Sequence, residues 1–222
     1  MNTYEVEIKS LLGEEKNADS FRSLLSEKGA QKKSQGSQLN HYFLVGDMKE
    51  LLNPLVSLLN ENQTELLTQI IEHGKDHSVR TREADGKVMF VVKASVDDNS
   101  SDNGVARMEF EEALDISLAD LDNILLEAGF EYQAKWSRKR EEYELDGVVI
   151  TLDKNAGYGW LTEFEIVVDT HDQLSSAEEK IRNLMSDFNV HELSQERIGR
   201  MFEYYNKNWR DYYGTENIFT LE

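Results

Sequence analysis

The chain falls into a pattern at its fourth residue. In YEVEIKS, Glu5, Glu7 and Lys9 share one face while Tyr4, Val6 and Ile8 share the other. A period of two is that of a β-strand. It returns in SQLNHYFLV, HSVRTRE, VMFVVKAS, VARMEFEEAL, YQAKWSRKREEYEL, VVITLDKN and YGWLTEFEIVV, which predicts eight strands. ADGK at 84–87 and the pair Asp146–Gly147 predict tight hairpin turns.

Between the strands the period lengthens to that of a helix. GEEKNADSFRSLLSEKGA places Phe21, Leu24 and Leu25 on one face and stops at Gly29. SLADLDNILLEAGF starts from Ser117 as N-cap, and DQLSSAEEKIRNLMSDF continues the series. MKELLNPLVSLLNENQTELLTQIIEHG is helical in pattern, with breaks near Pro54 and near Asn60–Asn62. In the tail, Phe202, Tyr205, Trp209 and Tyr212 lie at helical spacing, which reads as a helix docked on the same domain in preference to a dimer contact. Monomer and homodimer both stay open. No linker divides the chain. The prediction is one α+β domain over residues 1–190, with a helical insertion at about 48–74 and a helical tail at 191–222 packed on it.

Composition narrows the function. The 222 residues are 39% hydrophobic and 9% aromatic, enough for a core, and carry 24 Lys and Arg against 43 Asp and Glu, a net charge of −19. Such a surface argues against nucleic acid and anionic membranes as partners. There is no cysteine, so disulfides and thiolate metal sites are excluded and a reducing compartment is compatible. The start MNTYEVEIKS has no basic n-region or apolar stretch, and no run reaches membrane-spanning length. The expectation is a cytoplasmic protein. The five histidines lack zinc spacing. The acidic loop Asp97–Asp102 lacks the ligand spacing of an EF-hand.

The charges themselves follow the strand period. Arg80 and Arg82 sit two apart, as do Arg138 and Arg140; Arg107, Glu109 and Glu111 alternate with Met108 and Phe110. Glu163 and Glu165 lie opposite Thr162, Phe164 and Ile166; Lys93 and Asp153 add single charges. On any one strand this describes the wet face of a sheet. Taken together, bases in register with acid pairs also describe a barrel that is apolar outside and charged inside, able to host a polar ligand. Pairs such as Glu5/Glu7 and Glu163/Glu165 suit Mg²⁺ or Mn²⁺. Arginine and lysine suit phosphate oxygens. No P-loop signature is present.

These residues resemble the CYTH superfamily, the triphosphate tunnel metalloenzymes, which include class IV adenylate cyclases and thiamine triphosphatases. EVEIK at Glu5–Lys9 is similar to the family's opening E-x-E-x-K. HYF, VRTR, VVK, RMEFE, RKREEY, TLD and GWLTEFE follow in order over roughly the first 190 residues. The ending is most similar to the class IV cyclase branch. The resemblance implies an eight-stranded antiparallel closed barrel with helices outside. It implies Glu5, Glu7, Glu163 and Glu165 as metal ligands, with Asp153, Glu109 and Glu111 as further candidates. Lys9, Arg80, Arg82, Lys93, Arg107, Arg138 and Arg140 would hold phosphate, with Lys9 and Arg140 closest to catalysis. Arg138 departs from the lysine of many members. The 48–74 stretch is a lid or partner surface in this reading. The implied substrate is a small triphosphate, and the leading reading is the class IV cyclase type, ATP cyclised to cyclic AMP and pyrophosphate; the alternative is a triphosphatase hydrolysing tripolyphosphate, thiamine triphosphate or a nucleoside triphosphate. Hydrolysis asks less of a site than cyclisation, which needs a seat for adenine. A module that binds a polyphosphate without turnover is the third reading.

Overall fold

Two Asp–Gly pairs shape the hairpins. Asp85 and Gly86 take φ of 51° and 76°, and Asp146 and Gly147 take 52° and 74°. Positive φ at both central residues gives a turn whose twist matches the strands it joins. Aspartate tolerates that region, and glycine has no Cβ to clash.

The computed structural model describes residues 4–95 and 107–221, with Arg107 in backbone alone. The strands are β1 Tyr4–Gly13, β2 Gln31–Leu44, β3 Lys75–Ala84, β4 Lys87–Ser95, β5 Arg107–Leu114, β6 Glu131–Leu145, β7 Val148–Asn155 and β8 Gly159–Val168. The helices are α1 Glu15–Glu27, α2 Leu52–Leu55, α3 Glu61–His73, α4 Leu118–Glu127, α5 Leu174–Asp187 and α6 Gln195–Asn208. The predicted α+β class and the eight-stranded antiparallel sheet are both present, in the order β1-β8-β7-β6-β2-β3-β4-β5. Closure is the one departure. A barrel needs its end strands to exchange backbone hydrogen bonds. Among the described residues β1 pairs with β8 alone and β5 with β4 alone, so the sheet is not closed.

The fold groups into two compact units, Met1–Ser37 with Ser137–Glu222, and Gln38–Trp136. In the first, Ile8, Ile150, Leu152 and Phe164 project from the sheet onto Phe21 and Leu25 of α1, Ile181 and Met185 of α5, and Phe188. Phe164 is fully buried, with Phe21 and Phe188 rings 6.1 Å and 6.0 Å away. Each such side chain contributes about 1.5–3 kcal/mol of burial free energy. The tail joins this unit. Fully buried Tyr205 of α6 lies 5.7 Å from the ring of Tyr158. Phe219 donates its backbone N–H to the Gly157 carbonyl at 2.8 Å. Gly157 (φ 75°) is required there, because a Cβ would lie 2.9 Å from the Tyr205 ring.

In the second unit, Val79, Phe90, Val92 and Phe110 of the sheet pack against α3 and α4 through Leu67, Ile70, Leu121 and Leu125. The 48–74 stretch is resolved here into two 3₁₀ turns, α2 and α3. Pro54 falls in the first turn of α2, where an N–H has no intrahelical partner to lose. Asn60 breaks the run and caps α3, trading hydrogen bonds with Gln63 at 2.9 Å each way. Met48, Leu51, Leu55, Leu67, Ile70 and Ile71 all enter the core of this unit. Val56 and Leu66 of the same stretch stay exposed. The Asp97–Asp102 loop lies outside the described residues.

Candidate active site

In the first unit the pleat and the pairing register put one set of side chains on the face opposite the core. Glu7 is paired with Glu165, Lys9 with Glu163, Thr151 with Glu163 and Arg140 with Asp153. Directly paired residues point to the same side. The charged face of β1 therefore continues across β8, β7 and β6. One carboxylate oxygen each from Glu5, Glu7 and Glu165 come within 4.8 Å of one another. Burial and the charges of Glu5 and Glu163 push the Glu165 carboxyl above its ordinary value. A carboxyl raised by neighbouring carboxylates favours a cation beside it. This oxygen-only donor set fits Mg²⁺ or Mn²⁺.

The other predicted acids of this unit face bases. Arg140 donates to both carboxylate oxygens of Asp153, at 2.8 Å from Nε and 2.5 Å from Nη2, and to Glu163 at 2.9 Å. Arg138 lies 3.6 Å from Asp153. Asp153 is 1% exposed, and burial pushes its carboxyl up against the pull of Arg140. Lys9 contacts Glu7 and lies 3.2 Å from Glu163. Burial opposes ionisation of Glu163, but Lys9 and Arg140 outweigh it and hold this carboxyl below the usual range.

The second unit repeats the design with a different balance. Arg80 and Arg82 project from β3 on the face away from its core, in line with Lys93 of β4 and Glu109 and Glu111 of β5. Arg82 donates to Glu111 at 2.6 Å, and Lys93 pairs with Glu109 at 2.8 Å. Lys93 is the main reason the Glu109 carboxyl sits below its ordinary value. Arg80 Nη1 donates to the Tyr42 hydroxyl at 2.9 Å, while its buried Nε has no hydrogen-bond partner among the described residues. Among the described residues, Glu109 and Glu111 are not part of a carboxylate cluster like that of the first unit. Arg107 begins β5, and its side chain lies outside the described residues.

The sequence supplies the decisive comparison. The CYTH domain matches residues 70–199, more than half of the chain. This chain belongs to the CYTH family. The family processes triphosphates with the help of a metal ion, and the acid and base faces accord with that class of work. Comparison with curated proteins gives no match. Solved structures share the fold. A conserved protein of Pyrococcus furiosus is 20% identical, with a TM-score of 0.51, covering 87% of this chain and 94% of its own. A Pyrococcus horikoshii protein is 22% identical, with a TM-score of 0.51 and coverage of 86% and 94%. A Vibrio parahaemolyticus protein provisionally named an adenylate cyclase is 17% identical, with a TM-score of 0.50 and coverage of 90% and 99%.

Motif matching to the CYTH pattern overlooked other residues on or behind these faces. Glu142 pairs with Thr151 and so shares the charged face of the first unit. Asn40 pairs with Arg82 and accepts its Nε at 3.0 Å. Behind the arginines, Asp122 of α4 is 3% exposed and meets His41 Nδ1 at 2.7 Å, Thr81 at 2.6 Å and Tyr132 at 2.7 Å. The period of two would have found Glu142 and Asn40, each two residues from a marked position. Nothing local in the sequence marks Asp122.

Proposed function

We propose that this CYTH protein is a Mg²⁺- or Mn²⁺-dependent triphosphatase, acting on tripolyphosphate or on the triphosphate end of a small organic molecule. The observation that carries the reading is the Glu5, Glu7 and Glu165 cluster, with three carboxylate oxygens within 4.8 Å, on the same sheet face as Lys9 and Arg140. Simple capture of phosphate needs bases; a converging carboxylate set suits a metal as well.

When bound, the divalent ion supplies Lewis-acid charge to the phosphate oxygens and positions a water. The protein's own groups do the rest. Glu5, Glu7 and Glu165 would hold the ion. Lys9 and Arg140 donate to phosphate oxygens and stabilise the charge that develops as a phosphoanhydride bond breaks. Asp153 and Glu163 keep the Arg140 guanidinium in one orientation, leaving Nη1 for a ligand oxygen. Arg80, Arg82 and Lys93 supply a further basic set on the second unit.

Hydrolysis is preferred to cyclisation on one ground. The candidate seats for adenine are the 48–74 stretch and Tyr42; in the first, Met48, Leu51, Leu55, Leu67, Ile70 and Ile71 are committed to the core of their unit, and in the second the hydroxyl is committed to Arg80. The class IV cyclase reading is second, supported by the TLD and GWLTEFE motifs. Separate incubation with ATP and with tripolyphosphate, with Mg²⁺ or Mn²⁺, decides between them. Orthophosphate release is the expected result. Cyclic AMP with pyrophosphate would establish the cyclase instead, and binding without any product would leave a polyphosphate-binding module.

A further inference from the structure

The two arginines of β3 are framed from both sides. On their own face, each is met across the β2–β3 pairing by a neutral oxygen. Asn40 stands opposite Arg82 and Tyr42 opposite Arg80. Asn40 Oδ1 accepts from Arg82 Nε at 3.0 Å, and the Tyr42 hydroxyl accepts from Arg80 Nη1 at 2.9 Å. The Tyr42 ring also lies 5.6 Å from the Arg80 guanidinium. Neutral acceptors fix the direction of a guanidinium without cancelling its charge, which on Arg82 is shared with Glu111 at 2.6 Å from Nη1.

The opposite face carries the second half of the frame. Between Asn40 and Tyr42 lies His41, and between Arg80 and Arg82 lies Thr81; the two are paired directly across the strands. Asp122 bonds to both, at 2.7 Å and 2.6 Å, while Tyr132 donates to it at 2.7 Å and Lys135 stands 3.6 Å away. All four are drawn to a single buried carboxylate. It fixes the β2–β3 register at the one place where a slip would turn both arginines to the wrong side.

We propose that Asn40, Tyr42 and Asp122 are positioning residues that hold Arg80 and Arg82 as a preformed seat for polyphosphate oxygens. The inference rests on the phosphate role proposed above for these arginines. Preformed donors bind an anion more tightly because the ordering cost has been met before the ligand arrives.

The test is calorimetric titration of the full chain in Mg²⁺ with imidotriphosphate, a non-hydrolysable analogue that reports tripolyphosphate affinity without turnover. Tyr42→Phe keeps the ring and removes only the oxygen; Asn40→Leu keeps the size and removes the acceptor. Each should weaken the tripolyphosphate Kd by about 3- to 10-fold, the worth of one hydrogen bond. The ligand-free melting temperature and the affinity for Mg²⁺ alone should stay unchanged, which a merely structural role would not give. Asp122→Asn is expected to weaken the Kd as well, with some loss of stability. Arg80→Ala is the control. If it removes binding while Tyr42→Phe and Asn40→Leu bind as the wild type does, the frame is wrong and the phosphate role stands. If Arg80→Ala binds normally, the phosphate role fails and the frame with it.

Discussion

The charged faces of the two units are made from the same residue types in the same strand period, yet they are balanced differently. In the first unit, acids outnumber bases. Arg140 is gripped by Asp153 and Glu163, Lys9 contacts Glu7 and Glu163, and Glu5, Glu7 and Glu165 still crowd together. In the second, Lys93 and Arg82 have one carboxylate each, and Arg80 is held by a neutral hydroxyl. A face with spare carboxylate attracts a cation, and a face with spare guanidinium attracts an anion. The difference lies in the partners, which single-strand motifs do not display.

The largest effect should come from breaking the acid side. Glu5→Gln or Glu7→Gln is expected to abolish divalent-dependent turnover while circular dichroism and melting temperature stay near those of the wild type, since both side chains are exposed and outside the core. Steady-state phosphate release checks it. Full activity in either variant would return the cluster to an ordinary solvated face.

The basic side should break differently. Arg80→Ala and Arg82→Ala should each cost about 2–5 kcal/mol of triphosphate binding, as expected when a desolvated charge loses its partner. The double variant should lose less than the sum, because both side chains serve one ligand. An unchanged KM in both single variants would contradict the contrast between the units.

A third experiment sharpens the comparison from behind the sheet. Asp122→Asn should destabilise the protein by about 1.5–3 kcal/mol, the range for hydrogen bonds to a buried charged group. Burial works against ionisation of Asp122, but the bonds from His41, Thr81 and Tyr132 hold its carboxyl below the ordinary 3.8. A folded pKa below the unfolded value gives stability that is present above 3.8 and lost as the pH falls through the folded pKa. Urea unfolding from neutral pH downward should therefore show the wild-type advantage over Asp122→Asn shrinking below pH 3.8. A constant gap would mean that the carboxylate charge is not what stabilises the network.

The smallest effect is a control. Gly147→Ala places a Cβ at φ 74° and should cost about 1–2 kcal/mol of stability with the Kd for tripolyphosphate unchanged. Denaturant unfolding and the same calorimetric titration check both halves.

Much of this was legible in the sequence because alternation marks a strand wherever one face is buried. Glu5, Glu7 and Lys9, opposite Val6 and Ile8, announced both β1 and its charged face. Asp146–Gly147 announced its hairpin through the φ it requires. The start of β2 was not legible. Gln31–Gln35 is exposed throughout, so burial leaves no period there; the prediction began at residue 37. The pairing with β6 makes that segment a strand. Partner choice was hidden for a related reason. That Asp153 faces Arg140, or that Asp122 reaches His41 across 81 positions, depends on register between strands and on where α4 packs.

The central claim is that a divalent ion on the acid cluster is part of how this CYTH protein holds a triphosphate. It is tested most directly by calorimetric titration of the non-hydrolysable imidotriphosphate into wild-type protein with Mg²⁺ and again in excess chelator. Tight binding with Mg²⁺ and poor binding without it is the predicted result; equal affinity in both would contradict the account.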